Sequence, residues 1–87
     1  MDNRRCLIDE RIKEERRGII QFLEDMGFSL EAKESRNKKE IIESFLPIYV
    51  NKADKNYWMM GNVTCAAAAA SSNKMIRKEA FYEWMKD

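Results

Sequence analysis

The side chains able to do chemistry in this chain fall into three groups. They are two cysteines, Cys6 and Cys65; adjacent carboxylates such as Glu14-Glu15 and Glu24-Asp25; and the cations Lys52, Lys55, Lys74, Arg77 and Lys78, interleaved with Tyr49, Tyr57 and Trp58. Histidine is absent, which removes the usual base for activating a nucleophile and the commonest zinc ligand. A structural zinc site needs four Cys or His ligands, so two isolated cysteines cannot build one within one chain, and no metal or other cofactor is expected. Three scattered glycines, Gly18, Gly27 and Gly61, cannot form a phosphate-cradling loop. The paired carboxylates fall on amphipathic patterns, where acidic residues ordinarily form a solvated face. An enzyme is not expected.

What remains is binding chemistry. Cations interleaved with aromatic rings suit a nucleic-acid backbone, where the cations neutralise phosphates and the rings pack on sugars or bases. They suit equally a small core whose rim lysines keep it soluble. A net charge of +1 among 16 basic and 15 acidic groups excludes binding by bulk charge, so a basic surface would have to be gathered by folding.

The elements that must position these groups read as one small domain, since 87 residues cannot supply two cores. Asp2 or Asn3 can cap a helix running to about Met26, with Ile8, Ile12, Ile19, Ile20, Leu23 and Met26 at helical spacing. Between them the band DERIKEERR reads as a solvated helix face, with Asp9 and Lys13, and Glu14 and Arg17, spaced as ion pairs. Gly27 followed by Phe28 reads as a helix stop, with the glycine left-handed and the phenylalanine folding back. Residues 29–36 are open between a short helix and a loop. Asn37 and Glu40 have capping-box spacing before Ile41, Ile42, Phe45 and Leu46, and Pro47 ends that helix.

Short strands are expected near 48–50, 57–60 and 75–76, the first two forming a hairpin around NKADKN. Asn62 or Thr64 caps a helix through five consecutive alanines, Ala66 to Ala70, to about Ser72, and a final helix begins near Arg77. The expected fold is therefore mainly α, a bundle of four or five helices with two or three short strands. Its expected core is Ile12, Ile19, Leu23, Phe28, Ile42, Phe45, Leu46, Val63, Ile76, Phe81 and Trp84. Cys6 is expected near a helix start and Cys65 in the core, both reduced. The opening MDNRRC lacks the apolar stretch of a signal peptide, so a soluble cytoplasmic protein is expected.

Two local patterns resemble known families. FLEDMGFS is similar, over about ten residues, to the first helix and loop of ubiquitin-associated domains, although the charged LEAKESRNKKE follows where those domains have an alanine-rich helix. NKMIRKEAFYEWMKD resembles the closing strand and helix of excisionase-like and MerR-like winged-helix DNA-binding domains, a likeness over roughly thirty residues when Tyr57, Gly61-Asn62 and the alanine helix are included. That resemblance implies a winged-helix-like variant, a small DNA-binding accessory or regulatory protein, and duplex DNA as partner. Lys74 and Arg77 would then be wing residues touching phosphate, with Lys78, Lys52 and Lys55 completing the basic set. The chain departs from the pattern in two places. Alanine methyls cannot make the paired hydrogen bonds that discriminate bases, and about four residues between helix and strand are too few for a wing hairpin. The alternative of a different class is a protein-interaction module or helical dimer, self-associating through the first helix or the alanine face.

Overall fold

A computed structural model describes residues 4–72 and 74–86, with the side chains of residues 63, 68 and 70–74 outside the description. In chain order its elements are β1 (Arg5–Ile8), α1 (Lys13–Asp25), β2 (Ser29–Leu30), α2 (Lys38–Glu43), β3 (Ile48–Asn51), β4 (Asn56–Met59), α3 (Val63–Ser72), β5 (Lys74–Ile76) and α4 (Lys78–Met85). The strands form one mixed sheet in the order β2-β4-β3-β1-β5. This corrects the mainly helical expectation and the winged-helix-like bundle with it: the molecule is an α/β domain organised by a five-stranded sheet.

The physical reason lies in β1. Cys6, Leu7 and Ile8 are all fully buried, because both faces of this inner strand are covered. A continuous three-residue apolar run has no period, so it cannot be told from the start of a helix. Consequently α1 begins at Lys13, and Asp9 never joins Lys13 on a helix; Lys13 instead lies 4.0 Å from Glu43, while Glu14 and Arg17 pair at 3.6 Å as spaced. The Asp2 and Asn3 caps lie outside the described residues. β2 is two residues long and pairs in parallel with β4, too brief to announce itself.

The hairpin of β3 and β4 forms as expected, turned by Asn51, whose Oδ1 accepts the amides of Ala53 and Asp54 at 2.9 and 3.2 Å. The α2 capping box is also present: Asn37 and Glu40 each accept the other's backbone amide, at 2.9 and 3.1 Å. At the end of α1, Gly27 has φ +90°. There the Phe28 amide donates to Leu23 O at 2.9 Å and the Gly27 amide to Glu24 O at 3.1 Å, the two bonds of a left-handed helix stop.

Pairing directions place β1, β2, β4 and β5 parallel, with β3 reversed among them. The β1-α1-β2 connection crosses the sheet one way and β4-α3-β5 crosses it the other way. They lie on opposite faces, so both have the same hand, as the strong preference for right-handed parallel crossovers demands. On one face α1, α2 and α4 cover the main core, in which Cys6, Ile8, Ile48, Val50, Tyr57 and Met59 meet Ile19, Leu23, Ile41, Phe81 and Trp84. On the other, α3 alone covers a smaller cluster of Leu7, Tyr49, Met60 and Ala66.

Of the expected core, Ile19, Leu23, Phe28, Ile76, Phe81 and Trp84 are buried, and Ile42 and Leu46 pack at its edge. Ile12 and Phe45 are corrections: they stand 62% and 57% exposed, because α1 begins after Ile12 and α2 ends before Phe45. Val63 as a core side chain lies outside the description. The cysteines are exchanged relative to expectation, Cys6 buried in β1 and Cys65 exposed on α3.

Candidate interaction site

Parallel strands bring their carboxyl ends to one end of the sheet, and in open α/β sheets that end is where ligands dock. Here it collects the segments after β1 (Asp9 to Ile12), after β2 (Glu31 to Asn37), before β3 (Phe45 to Pro47), after β4 (Met60 to Asn62) and after β5 (Arg77).

The centre of this end is plugged by Arg16. This α1 side chain is fully buried, and all five of its N–H bonds find acceptors. Nε donates to Ile41 O at 2.9 Å and Nη2 to the same oxygen at 2.6 Å. Nη1 donates to Glu10 O at 2.6 Å and Leu46 O at 2.9 Å, and Nη2 also meets Met59 Sδ at 3.4 Å. Burial lowers the Arg16 pKa to about 10, partly offset by the Glu10 charge, so it stays a cation at neutral pH. It spends its charge on the backbone carbonyls of Glu10, Ile41 and Leu46, of which Ile41 O also accepts the Ser44 amide at 3.3 Å. The sequence held a signal for it that the charged-band reading missed. Arg16 sits four residues from both Ile12 and Ile20, on the apolar stripe of α1.

A second pin fixes the segment after β2. Arg36 donates from Nε and Nη2 to the two oxygens of Glu34, at 2.9 and 3.0 Å, and also to Met59 O at 2.6 Å and Met60 O at 3.0 Å. The Met59 amide returns a bond to Glu34 Oε2 at 3.2 Å. These bonds, chiefly those from Arg36, hold the Glu34 pKa down at about 2.

Two of the concavities at this end carry exposed or half-buried apolar or aromatic side chains, and the first borders α3. The first is a groove of about 230 Å³ lined by Phe45, Leu46, Pro47, Ala66, Ala67 and Met75, with Asp9 and Arg11 on its rim. Phe45 and Met75 are 57% and 40% exposed, large apolar side chains left in water on either side of it. The second, toward the β2 edge on the same sheet face as Tyr49, is a cleft of about 420 Å³ lined by Glu31, Lys33, Glu34 and Trp58. Trp58 stacks on its cross-strand partner Tyr49 with centroids 4.1 Å apart and planes 17° off parallel.

The cations singled out in the sequence are not brought together. Lys52 turns inward, its Nζ donating to Trp84 O at the end of α4 and lying 4.1 Å from the Trp84 ring centroid. Lys55 takes the left-handed position of the β3–β4 turn, at φ 53°. These two border a shallow cleft with Met26, Phe28 and Met85, at the opposite end of the sheet from Arg77 and Lys78. Arg77 is the exposed N-cap residue of α4. Lys78, at the first position of that helix, lies 2.7 Å from Glu15, which raises its pKa. Lys74 begins β5 in register with Cys6, and its side chain lies outside the description. Asp9, Glu10 and Glu79 share the surface around Arg77 and Lys78, so the local charge there is mixed.

No protein-family model, curated protein or solved structure matches this chain. Among the described residues no helix is long and apolar enough to cross a membrane, and no cluster of His, Cys, Asp or Glu has the makings of a metal site.

Proposed function

We propose that this is a non-enzymatic protein-interaction module, acting in the cytoplasm, that docks a segment of a partner polypeptide at the carboxyl end of its sheet. The observation that carries the reading is the pair Phe45 and Met75, exposed beside a groove floored by Pro47, Ala66 and Ala67. Apolar side chains flanking a concavity favour an anchor residue from a partner, and the opposite charges of Asp9 and Arg11 on its rim supply polar contacts at its edge. The occupant is a short segment and not a second copy of the chain. A groove of about 230 Å³ takes one or two side chains, whereas a stable dimer needs roughly 800 Å² from each partner.

Peptides selected from a random displayed library against the immobilised protein are expected to carry an apolar anchor and to lose binding in the double variant Phe45→Ser, Met75→Ser, while its unfolding midpoint stays near that of the parent. Selected peptides indifferent to that variant would overturn the reading, and so would a dimer in sedimentation that the variant dissolves.

Duplex DNA as the partner of a regulatory or accessory protein is the competing proposal raised by the C-terminal segment. It expects a mobility shift that falls steeply with salt and is lost in Arg77→Glu. The separation of Lys52 and Lys55 from Arg77 and Lys78 favours the polypeptide.

A further inference from the structure

The Trp58 cleft has a chemistry of its own. Register places Ser29 beside Asn56 and Leu30 beside Tyr57, so Glu31 follows on next to Trp58, and the Glu31 amide donates to Tyr57 O at 2.9 Å. The two carboxylates of the cleft differ in what is left to them. Both oxygens of Glu34 are taken, by Arg36 and by the Met59 amide, and its charge is matched by the guanidinium. Among the described residues Glu31 receives at close range only the Asn56 side-chain amide, 2.6 Å from Oε2, together with a long 3.4 Å contact from the Lys33 backbone to Oε1.

No cation pairs with Glu31 among the described residues, and Lys33 on the rim is exposed. The Oδ1 of Asn56, whose Nδ2 serves Glu31, is itself buried with no donor among the described residues. Tyr49 covers one face of the Trp58 indole, and the half-buried ring also borders the cleft. An aromatic ring beside an uncompensated carboxylate, in a neighbourhood short of donors, complements a planar cation rich in N–H groups.

We propose that this cleft is a docking pocket for an arginine side chain of a partner polypeptide, its guanidinium stacked on Trp58 and hydrogen-bonded to Glu31. Arginine fits better than lysine because a flat guanidinium can lie on the indole while presenting its edge to the carboxylate. The inference rests on the interaction-module reading for the source of the arginine, but the pocket is testable without any partner.

The test is a titration of the intact protein with N-acetyl-arginine amide, followed by nitrogen–proton NMR, beside the shorter, uncharged N-acetyl-norleucine amide and a thymidine oligonucleotide. The arginine probe is expected to move the Trp58 indole N–H and the amides of residues 31–34 saturably, with a Kd on the order of millimolar for one stacked, charge-assisted contact. Glu31→Gln, a change at the cleft surface that leaves the Trp58–Tyr49 stack intact, should weaken the probe about fivefold, and Lys33→Gln should tighten it by removing a like charge. Equal binding of the norleucine amide, the absence of a saturable shift, an unchanged affinity in Glu31→Gln, or preference for the oligonucleotide would each overturn the proposal. A probe that binds here while library peptides ignore the Phe45–Met75 groove would overturn the groove reading and leave this one standing; the reverse outcome would do the opposite.

Discussion

At the residue scale, the two helix glycines separate conformational from packing effects. A Cβ added at Gly18 or at Gly27 meets nothing within 4 Å, so neither substitution is limited by space. Gly18 lies within α1, where alanine lowers the conformational cost of helix formation, and Gly18→Ala should stabilise the fold by about 0.5–1 kcal/mol. Gly27, at φ +90°, occupies a conformation that L side chains avoid, and Gly27→Ala should destabilise by about 1 kcal/mol with no clash anywhere. Urea unfolding of the two variants reads this directly, and shifts of the same sign would contradict it. The left-handed stop was legible in Met26-Gly27-Phe28 because a helix end is a local event. The roles of Lys52 and Lys78 were not legible, since their partners Trp84 and Glu15 are distant in sequence and fix them only after the sheet has formed.

At the scale of elements, those with capping or turn chemistry were readable and those made only of short apolar runs were not. α2 and the β3–β4 hairpin were expected at their places because Asn37, Glu40 and Asn51 bond to their own neighbours in sequence. β1 and β2 were hidden, as each becomes a strand only by pairing with a segment far along the chain. The alanine helix is explained by its neighbours: Asn62 Oδ1 caps it by accepting the Cys65 amide at 2.8 Å, and Ala66 and Ala69 let it lie close on Leu7 and Tyr49.

The segment after β2 has no regular hydrogen-bonded ladder and depends on the Glu34–Arg36 pin. The Glu34 carboxyl falls from 4.5 to about 2 on folding, so the stability it contributes is present above the unfolded value and is lost as pH falls through that window. The parent should therefore lose stability between pH 4.5 and about 2 more steeply than Glu34→Gln, which carries no titrating group at that position. Parallel denaturation curves for the two across that range would refute the assignment.

At the scale of the whole molecule, Arg16 joins the pieces. Its five donors reach the β1–α1 segment, α2, the segment before β3 and the end of β4, all at the carboxyl end of the sheet. Replacing it with methionine keeps the bulk but leaves the carbonyls of Glu10, Ile41 and Leu46 without these donors, and Arg16→Met should cost about 3 kcal/mol. Lysine should recover only part of this, since a single ammonium cannot span the fan of acceptors. A methionine variant as stable as the parent would mean that water or relaxation satisfies those carbonyls. The same plug accounts for the form of the candidate site. With arginine filling the centre of the carboxyl end, the open concavities lie around it, one against α3 and one beside Trp58.

The sequence by itself determined the near-neutral charge of the chain, its lack of histidine, and the local signals at Asn37, Asn51, Asn62 and Gly27. These depend on residue type and on contacts a few positions apart. Only the tertiary structure decided that the chain is an α/β sheet, that Cys6 is buried and Cys65 exposed, that Phe45 and Met75 face water, and that Glu31 beside Trp58 pairs with no cation among the described residues. Each of those follows from pairing between distant segments. A three-residue apolar run has no periodicity, and the burial of a side chain belongs to the surface that arrives to cover it.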